Sequence, residues 1–515
     1  MRARFVFILV VLAPMLTLAA TSTGERQAAN TPAPNACEAL RSFRQPDITI
    51  VDASLIPPGQ VHQGDNIPQA QRPTKPYCRV EARIEGNIGF ATFLPLREDW
   101  NGRMLGVGNG GDAGSLAIGG IAGAVRQGMV GVTTDAGHQG NTDPLWAMSR
   151  KKMEDYTHRA HHLSAVLAKD LAVAYYGKEP DHAYFSGCSG GGRQAQREMQ
   201  TFPDDYDGII AGAAASQHTT QMARKQWIVR AAEEQPDAAL SPAKWNAVTA
   251  EVIKQCDAVD GLTDGILDNP MACKFDVTKM ACKPGETGDT CLTPPQIGMV
   301  NLMYGPFKDE NGVERGPRPA PGIQPLRTAP VTGVQAFGQT LHQNPNWTRA
   351  DLVIGKDIDA LNRLLPEMSP QNPDLTRFVK SGGKAILYHG WLDSTDISAY
   401  TVQNYERMIA FPANGGLQKV QDSVRLFVAG ITGHCGGNNA PTWQNPGQPG
   451  YNPDGDLLQL MIRWVEQGKA PDMVLAAQVA DGRVVRTRPL CPYPAYPHYK
   501  GSGSVDQAEN FVCRQ

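Results

Sequence analysis

The chain has 515 residues, of which 41% are apolar and 19% charged, and its formal net charge is −3. This length favours two domains, or one domain with a large insertion, because a single hydrophobic core rarely organises so long a chain. The near-neutral charge offers no broad electropositive surface to a polyanion, so we expect no nucleic-acid partner.

The first twenty residues predict a secretory signal peptide. Two arginines precede an apolar run from Phe5 to Leu18, and small residues follow as the expected cleavage site. A membrane anchor is the alternative, but the run is short and Pro14 interrupts it. We therefore expect a secreted or periplasmic protein with no membrane attachment once residues 1–20 are removed.

Ten cysteines in an exported chain are typical of a disulfide framework. The sequence contains no Cys-x-x-Cys, which argues against a thiolate zinc site. Sequence alone does not fix the pairing, but nearness along the chain suggests four local bridges. These are Cys37–Cys78, Cys256–Cys273, Cys282–Cys291 and Cys491–Cys513.

Short apolar segments predict the beginning of a sheet. Residues 79–84, 90–94, 104–108 and 130–134 are the expected strands. An amphipathic helix is predicted over residues 158–176, where apolar side chains recur at helical spacing and Gly177 is a plausible stop. The helix then returns the chain to the sheet.

The next stretch contains Gly-x-Ser-x-Gly at Gly187, Ser189 and Gly191. Apolar residues 182–185 predict a strand before it, and residues 193–199 predict a helix after it. Such a strand–turn–helix holds a serine hydroxyl above the sheet edge in a strained conformation that requires small neighbours. Ser189 is therefore the candidate nucleophile, and a cysteine directly precedes it.

A glycine-rich run at residues 108–114 follows an early strand. Taken alone, it could be a plain turn. With Ser189 as the nucleophile, the N–H of Gly190 and that of Gly110 or Gly111 are expected to bind an oxyanion.

The alternation of strands and helices lapses between residue 215 and about residue 384, and strand 209–215 is the last before it. We interpret this region as a lid over the active site. The predicted organisation is a signal peptide at 1–20, hydrolase core at 21–214, lid at 215–375 and hydrolase core at 376–515.

The core pattern resumes at residue 384, with a strand that ends near His389 and a Gly-Trp-x-Asp turn that ends at Asp393. Asp393 is the candidate acid of a catalytic triad, because it lies near a strand end. Asp396 is the rival and lies farther from the strand. His389 is better explained as a strand residue than as the base. A further strand is expected at 424–428 and helices at 398–409 and 456–467.

His434 is directly followed by Cys435. If Cys188 and Cys435 form a disulfide, their Cα atoms lie about 4.4–6.8 Å apart, which places Ser189 and His434 side by side. Together with Asp393, the chain order is then Ser, Asp, His, as in α/β-hydrolases.

An acidic segment lies inside the expected lid, at residues 256–268. Its carboxylates recur at short intervals and two of them precede glycine, a pattern that suits a hard cation such as Ca²⁺. The alternative is a solvated acidic turn.

Cys188-Ser189, Asp393 and His434-Cys435 resemble the constellation of the tannase and feruloyl esterase family, which also includes mono(hydroxyethyl) terephthalate hydrolase. The resemblance covers nearly all of the chain after the N-terminal segment. It implies an α/β-hydrolase fold with a large lid domain inserted between core strands, and five disulfides that include the four local bridges. It also implies a structural Ca²⁺ in the lid. The implied ligands are the side chains of Asp257, Asp260 and Asp264 and the carbonyls of Leu262 and Ile266.

The resemblance further implies a secreted serine esterase that acts on small aromatic acid esters, free or attached to a plant polymer. Feruloyl esters are the first expectation, and galloyl esters or mono(hydroxyethyl) terephthalate are alternatives. From other classes, a non-catalytic binding protein on a hydrolase scaffold and a metal-dependent hydrolase compete with this interpretation. The first requires loss of a triad residue, and the second requires an open metal coordination position.

Overall fold

The computed structural model describes residues 36–140, 144–324, 338–430, 432–436 and 452–515. The predicted signal peptide at 1–20 lies outside these residues. The described strands are β1 Ile48–Ile56, β2 Tyr77–Ile84, β3 Ile88–Pro95, β4 Arg103–Val107, β5 Val130–Thr134, β6 His182–Cys188, β7 Gly208–Gly212, β8 Phe307–Lys308, β9 Glu314–Gly316, β10 Lys384–Gly390, β11 Val424–Ala429, β12 Val474–Ala480, β13 Arg483–Leu490, β14 Tyr496–Tyr499 and β15 Phe511–Arg514.

Nine strands form one sheet in the order β1-β2-β3-β5-β4-β6-β7-β10-β11. Its first strands, from β1 to β5, pair antiparallel. From β5 through β4, β6, β7 and β10 to β11 every neighbouring pair is parallel. This is the α/β-hydrolase fold that the resemblance implied. Because parallel strands end at the same edge, the loops after β4, β6, β10 and β11 meet there.

Helices pack on both faces of the sheet. Alternate residues of a strand point to opposite faces, so Tyr184 packs in a cluster with Met461, while Phe185 packs in another with Leu171 and Ala195. The described helices are α1 Ala36–Ala39, α2 Ile118–Arg126, α3 Arg150–Glu154, α4 Ala160–Tyr176, α5 Gly190–Thr201, α6 His218–Glu234, α7 Pro242–Cys256, α8 Pro294–Tyr304, α9 Ile354–Leu364, α10 Thr376–Lys380, α11 Ser398–Ala410, α12 Leu417–Gln421 and α13 Leu457–Gln467.

The strands predicted for the sheet are present, most of them with ends that differ by one or two residues, although β7 stops three residues before the expected end. The predicted helix at 158–176 begins at Ala160, after a π-helical turn at Asp155–Arg159. The helix after the nucleophile begins at Gly190, three residues earlier than predicted. The helix begins with glycines because neighbouring backbone leaves no room for larger residues there: a Cβ on Gly192 would lie 2.1 Å from the Gly212 carbonyl oxygen.

Several elements were not predicted, among them β1 at the sheet edge and the two hairpins β12–β13 and β14–β15. In β1, none of the residues before Ala53 is buried, and a register shift interrupts its pairing with β2 between Ile50 and Asp52. An edge strand of this kind gives little hydrophobic signal in the sequence, since few of its side chains pack against the core.

The chain leaves the sheet after β7 and returns at β10, and these two strands are direct neighbours. The described residues between them, 213–324 and 338–383, form helices α6 to α10, and within these ranges β8 and β9 pair only with each other. This insertion has a hydrophobic cluster of its own, which includes Trp245, Leu292 and Val300. The boundaries 215–375 and the function as a lid stay predictions. Within the described residues, no helix is long and apolar enough to cross a membrane.

Candidate active site

Ser189 lies at the turn between β6 and α5. Its backbone has φ 62° and ψ −123°, a conformation that is strained for a residue with a side chain. The turn is tight: a Cβ on Gly187 would lie 2.4 Å from the Gly191 carbonyl oxygen. The sequence predicted this strand–turn–helix, and the structure places the half-buried serine at the carboxyl edge of the sheet.

The glycine-rich loop after β4 packs directly on the start of α5. A Cβ on Gly190 would lie 2.3 Å from the Gly111 carbonyl oxygen, so Gly110 and Gly111 are brought beside the nucleophile. Asn109 anchors the loop, because its backbone N–H donates to Gln194 Oε1 at 2.9 Å. The first N–H groups of a helix have no acceptor within the helix, so that of Gly190 is available to a ligand. The role of these glycines in binding an oxyanion stays a prediction.

The side chain of His434 meets that of Asp393 across the edge of the sheet. His434 Nδ1 donates to Asp393 Oδ2 at 2.7 Å, and the carboxylate is fully buried. The other carboxylate oxygen, Oδ1, accepts from the backbone N–H groups of Thr395 at 2.8 Å and Asp396 at 3.0 Å. The acid preferred from the sequence is therefore the one that contacts this imidazole.

These contacts shift the pKa values of both groups. Burial by itself raises the pKa of Asp393, but hydrogen bonds and charge from His389 and His434 outweigh it and hold that pKa well below its usual range. Burial lowers the pKa of His434, but the hydrogen bond and charge of Asp393 outweigh it, so that pKa is raised. The pair thus favours an ionised carboxylate that stabilises an imidazolium.

His389 is a strand residue, as expected, yet it also takes part in the site. Its Nε2 lies 3.1 Å from Asp393 Oδ2, and its Nδ1 lies 2.9 Å from Thr401 Oγ1. The side chain is fully buried. Sequence reasoning did not find this contact, although Asp393 lies only four positions after His389, across a strand end and a turn.

The structure contains the five disulfides that the sequence analysis anticipated. Cys188 and Cys435 are bonded with their Cα atoms 5.9 Å apart, although 247 residues separate them in the sequence. The bridge joins the residue before Ser189 to the residue after His434. The two side chains are therefore held on adjacent loops by a covalent link between their neighbours.

Asp396 was the rival candidate for the triad acid, and in the structure its carboxylate contacts the nucleophile. Its Oδ2 accepts from Ser189 Oγ at 3.4 Å, and its Oδ1 accepts from Lys225 Nζ at 3.1 Å. The sequence offered no signal for Lys225, which lies in the insertion, 171 residues before Asp396. A charged pair beside the nucleophile is a feature that only the three-dimensional structure reveals.

A narrow cavity lies between the insertion and the loop that carries Gly110 and Gly111. Most of its wall is apolar, and Asp112, Tyr156 and His218 supply polar groups. Nδ1 of His218 is buried without a hydrogen-bond partner among the described residues. The apolar wall consists of Trp146, Met153, Met222, Leu361 and Met368.

The predicted metal ligands lie together in one loop after α7. Asp260 Oδ1 accepts from the N–H of Leu262, and Asp264 Oδ1 from that of Ile266, both at 3.2 Å. The carboxylate of Asp257 accepts from a backbone N–H at 3.0 Å. Among the described residues, no group of three or more His, Cys, Asp or Glu side chains is arranged so that it could hold a metal ion.

Two arginines from β13 reach this acidic loop, and Arg486 Nη1 donates to the Asp264 carbonyl oxygen at 3.4 Å. Arg488 is paired with Asp264, and its Nε lies 3.7 Å from Asp268 Oδ2. Burial raises the pKa of Asp268 to about 7; Arg488 opposes this shift, and the charges of Asp260 and Asp264 add to it. The four carboxylates of the loop, at Asp257, Asp260, Asp264 and Asp268, thus outnumber the two guanidinium groups that reach it, and Arg486 also pairs with Asp506. Its donors are all oxygen atoms, so their chemistry fits a hard cation.

Comparison with known proteins identifies the family. Residues 72–350 and 338–514 match the family described as tannase and feruloyl esterase. The probable feruloyl esterase B-1 of Aspergillus oryzae is 30% identical over 93% of this chain and 92% of its own length. Feruloyl esterase B of Aspergillus niger is 28% identical over 98% of this chain and 99% of its own. The chain therefore belongs to the tannase and feruloyl esterase family and is a carboxylic ester hydrolase.

Solved structures agree with this assignment. The crystal structure of feruloyl esterase B from Aspergillus oryzae matches with a TM-score of 0.85 and 29% identity, over 93% of this chain and 99% of that one. Tannin acyl hydrolase from Aspergillus niger has a TM-score of 0.72 at 23% identity, over 92% and 93% of the two chains, and shares the fold.

The bridge next to Ser189 generates a prediction. We expect the double variant Cys188→Ala/Cys435→Ala to fold, because four other disulfides remain, but to lose about 10²-fold in turnover, since a shift of about 1 Å in a catalytic group has an effect of that size. Ester hydrolysis and thermal unfolding measure the two properties separately. The control Cys282→Ala/Cys291→Ala removes a bridge within the insertion and should keep its turnover. A Cys188→Ala/Cys435→Ala enzyme that is folded and fully active would contradict the prediction.

Proposed function

We propose that this member of the tannase and feruloyl esterase family hydrolyses esters of aromatic acids, feruloyl esters foremost, through an acyl-enzyme formed on Ser189. One observation carries the mechanism: Ser189 stands on a strained turn that a disulfide joins to the loop of His434, and the imidazole of His434 contacts Asp393 at 2.7 Å. This is the order and grouping of a serine hydrolase triad.

In the proposed reaction Ser189 Oγ attacks the ester carbonyl while His434 takes the hydroxyl proton. Asp393 orients the imidazole and stabilises the imidazolium. The N–H groups of Gly190 and of Gly110 or Gly111 bind the oxyanion of the tetrahedral intermediate. His434 then protonates the departing alcohol, and water, activated by the same imidazole, hydrolyses the acyl-enzyme and restores Ser189.

One observation supports an aromatic acyl group: the relatives that cover most of this chain have the name feruloyl esterase B. Galloyl and terephthalate esters remain the competing substrates for a comparison of rates.

The acidic loop and the disulfides extend the proposal. We propose that Asp257, Asp260 and Asp264, with the carbonyls of Leu262 and Ile266, hold a structural Ca²⁺, which would neutralise the surplus negative charge of the loop. We also propose that the protein is exported, in agreement with the predicted signal peptide. Five disulfides support this, because such bridges persist in oxidising compartments.

Removal of the nucleophile tests the mechanism. Ser189→Ala should lower kcat by about 10⁴–10⁶-fold without a change in melting temperature, because the triad acts as a unit. Rates are measured with methyl ferulate, methyl gallate and the terephthalate monoester, and we expect the ferulate ester to have the highest kcat/KM. The control Ser502→Ala changes an exposed serine and should behave as wild type. Turnover close to wild type in Ser189→Ala would refute the mechanism.

The raised pKa of His434 predicts a pH profile. The imidazole accepts a proton only when it is neutral, so kcat/KM should fall as the pH drops through its pKa. Burial lowers that pKa, but Asp393 outweighs burial and raises it above 6.5, while the smaller effects of Asp396 and Lys225 oppose one another. We therefore expect an acidic limb with its midpoint above pH 6.5 in the profile of kcat/KM. A midpoint at or below this value would mean that Asp393 does not stabilise the imidazolium.

Calcium should stabilise the fold without taking part in the chemistry. Treatment with a chelator should lower the melting temperature, and added Ca²⁺ should restore it, since a ligand bound only by the folded state stabilises that state. Asp257→Asn/Asp264→Asn should abolish the response, whereas Asp422→Asn, an exposed change outside the loop, should keep it. An unchanged melting temperature, with no metal detected in the purified protein, would exclude the site.

A further inference from the structure

A buried histidine that the proposed mechanism does not use lies near the end of β10. The side chain of His389 is fully buried, in a strand that otherwise buries Ala385, Ile386, Leu387 and Gly390. Removal of an imidazole from water is unfavourable unless its nitrogens find hydrogen-bond partners, and an aliphatic side chain would fill this place without that requirement. The partners of the ring therefore indicate why a polar side chain is present.

The contacts of the ring show where its hydrogen lies. Nε2 of His389 faces two oxygen atoms that can only accept, the carbonyl oxygen of Asp396 at 2.5 Å and the ionised Oδ2 of Asp393 at 3.1 Å. Both would repel a bare nitrogen lone pair, so Nε2 carries a hydrogen and shares it between the two oxygens. Nδ1 lies 2.9 Å from Thr401 Oγ1, a hydroxyl that can either donate or accept. The hydrogen on Nε2 is therefore present in both the neutral and the charged form of the ring.

His389 and the catalytic base donate to the same carboxylate oxygen. His434 Nδ1 lies 2.7 Å from Asp393 Oδ2, and His389 Nε2 lies 3.1 Å from the same atom. A donated hydrogen bond stabilises the negative charge of its acceptor, so each donor reduces the attraction of that oxygen for the other. The strength with which Asp393 stabilises the imidazolium of His434 therefore depends on His389.

The turn that carries Asp393 has other attachments besides His389. Asp393 Oδ1 accepts from two backbone N–H groups of the same turn. The turn is also attached to α6, since the N–H of Ile397 donates to Gln221 Oε1 at 2.8 Å. On the other side, the Cys188–Cys435 disulfide fixes the loop of His434. Loss of the N–H of His389 should therefore act mainly on the charge of Oδ2 and less on the positions of acid and base.

We propose that His389 is a positioning residue that acts through Asp393 and limits how strongly this carboxylate stabilises the protonated imidazole of His434. The inference rests on the proposed function and adds a residue to it. The catalytic imidazole must take a proton from Ser189 and then give it to the departing alcohol, and a base that holds its proton too firmly is already protonated at moderately acidic pH. Asp396 and Lys225 also act on His434 through their charges, and both stay in every variant below.

Two variants of matched shape test the proposal. His389→Gln keeps an N–H donor near the place of Nε2, whereas His389→Met has a similar length and no donor. In His389→Met the midpoint of the acidic limb of kcat/KM for methyl ferulate should rise by about 0.5–1 pH unit, which corresponds to the loss of one hydrogen bond. His389→Gln should keep the wild-type midpoint. A purely structural role of the ring would lower the rates and leave the midpoint unchanged, or move it down as Asp393 loses contact with His434.

The control His498→Met changes a half-buried histidine of β14, outside the candidate site, and should keep the wild-type rate and midpoint. A midpoint that is unchanged or lower in folded His389→Met would overturn the inference. An elevated midpoint in His389→Gln as large as that in His389→Met would also overturn it, because the N–H donor would then have no part in the effect.

Nuclear magnetic resonance of the wild-type protein, labelled with ¹⁵N at histidine, gives a test that does not depend on the folding of a variant. The signal of the hydrogen on His389 Nε2 should persist throughout the pH range in which the protein is folded, and it should move as His434 gains its proton, because the two donors share one oxygen. An Nε2 without hydrogen, or a signal that stays constant through this titration, would overturn the inference. Absence of ester turnover in wild type would instead overturn the proposed function, whereas the contact between His389 and Asp393 would still be tested by the resonance signal.

Discussion

The buried carboxylate of Asp393 is the group on which the candidate site depends. Three N–H groups donate to it, from the backbone of Thr395 and Asp396 and from the imidazole of His434. His389 Nε2 lies 3.1 Å from it and shares its hydrogen with the nearer carbonyl oxygen of Asp396 at 2.5 Å. A carboxylate removed from water stays ionised only when such donors compensate for its lost hydration. The same contacts fix the turn after β10 and orient His434. The charge of the acid, the shape of the turn and the direction of the base are thus parts of one arrangement.

Two constraints of different kinds bring that arrangement to Ser189. The parallel part of the sheet ends every strand at one edge, which places the loops after β6, β10 and β11 near one another. This alone leaves each loop some freedom, because loops are held less firmly than the strands they follow. The Cys188–Cys435 bridge removes that freedom at the two positions where the chemistry requires accuracy. The sheet supplies proximity, and the disulfide restricts the remaining motion.

The sequence predicted the parts of this site that follow from local patterns. A strand, a glycine-rich turn and a helix identified Ser189, and nearness to a strand end favoured Asp393 over its rival. The position of Asp396 against the nucleophile could not be predicted, because its partner Lys225 lies in the insertion and approaches only after folding. The contact of His389 was missed for a related reason, since a strand residue close to an acid in sequence can point to either face. Periodicity and local turn patterns hold no information on distant side chains. The proximity of Ser189 and His434 was indicated by the cysteines next to them, a signal that Lys225 and Asp396 lack.

The insertion therefore affects the electrostatic environment of the nucleophile. The proposed triad and oxyanion groups all belong to the core, while Lys225 extends from α6 to a carboxylate that touches Ser189. If α6 were displaced, Asp396 would remain beside the nucleophile as a buried charge without its cation. Breaking a buried pair in this way is far more unfavourable than never forming one. The attachment of α6 to the turn by Gln221 thus joins the position of the insertion to the electrostatics of the nucleophile.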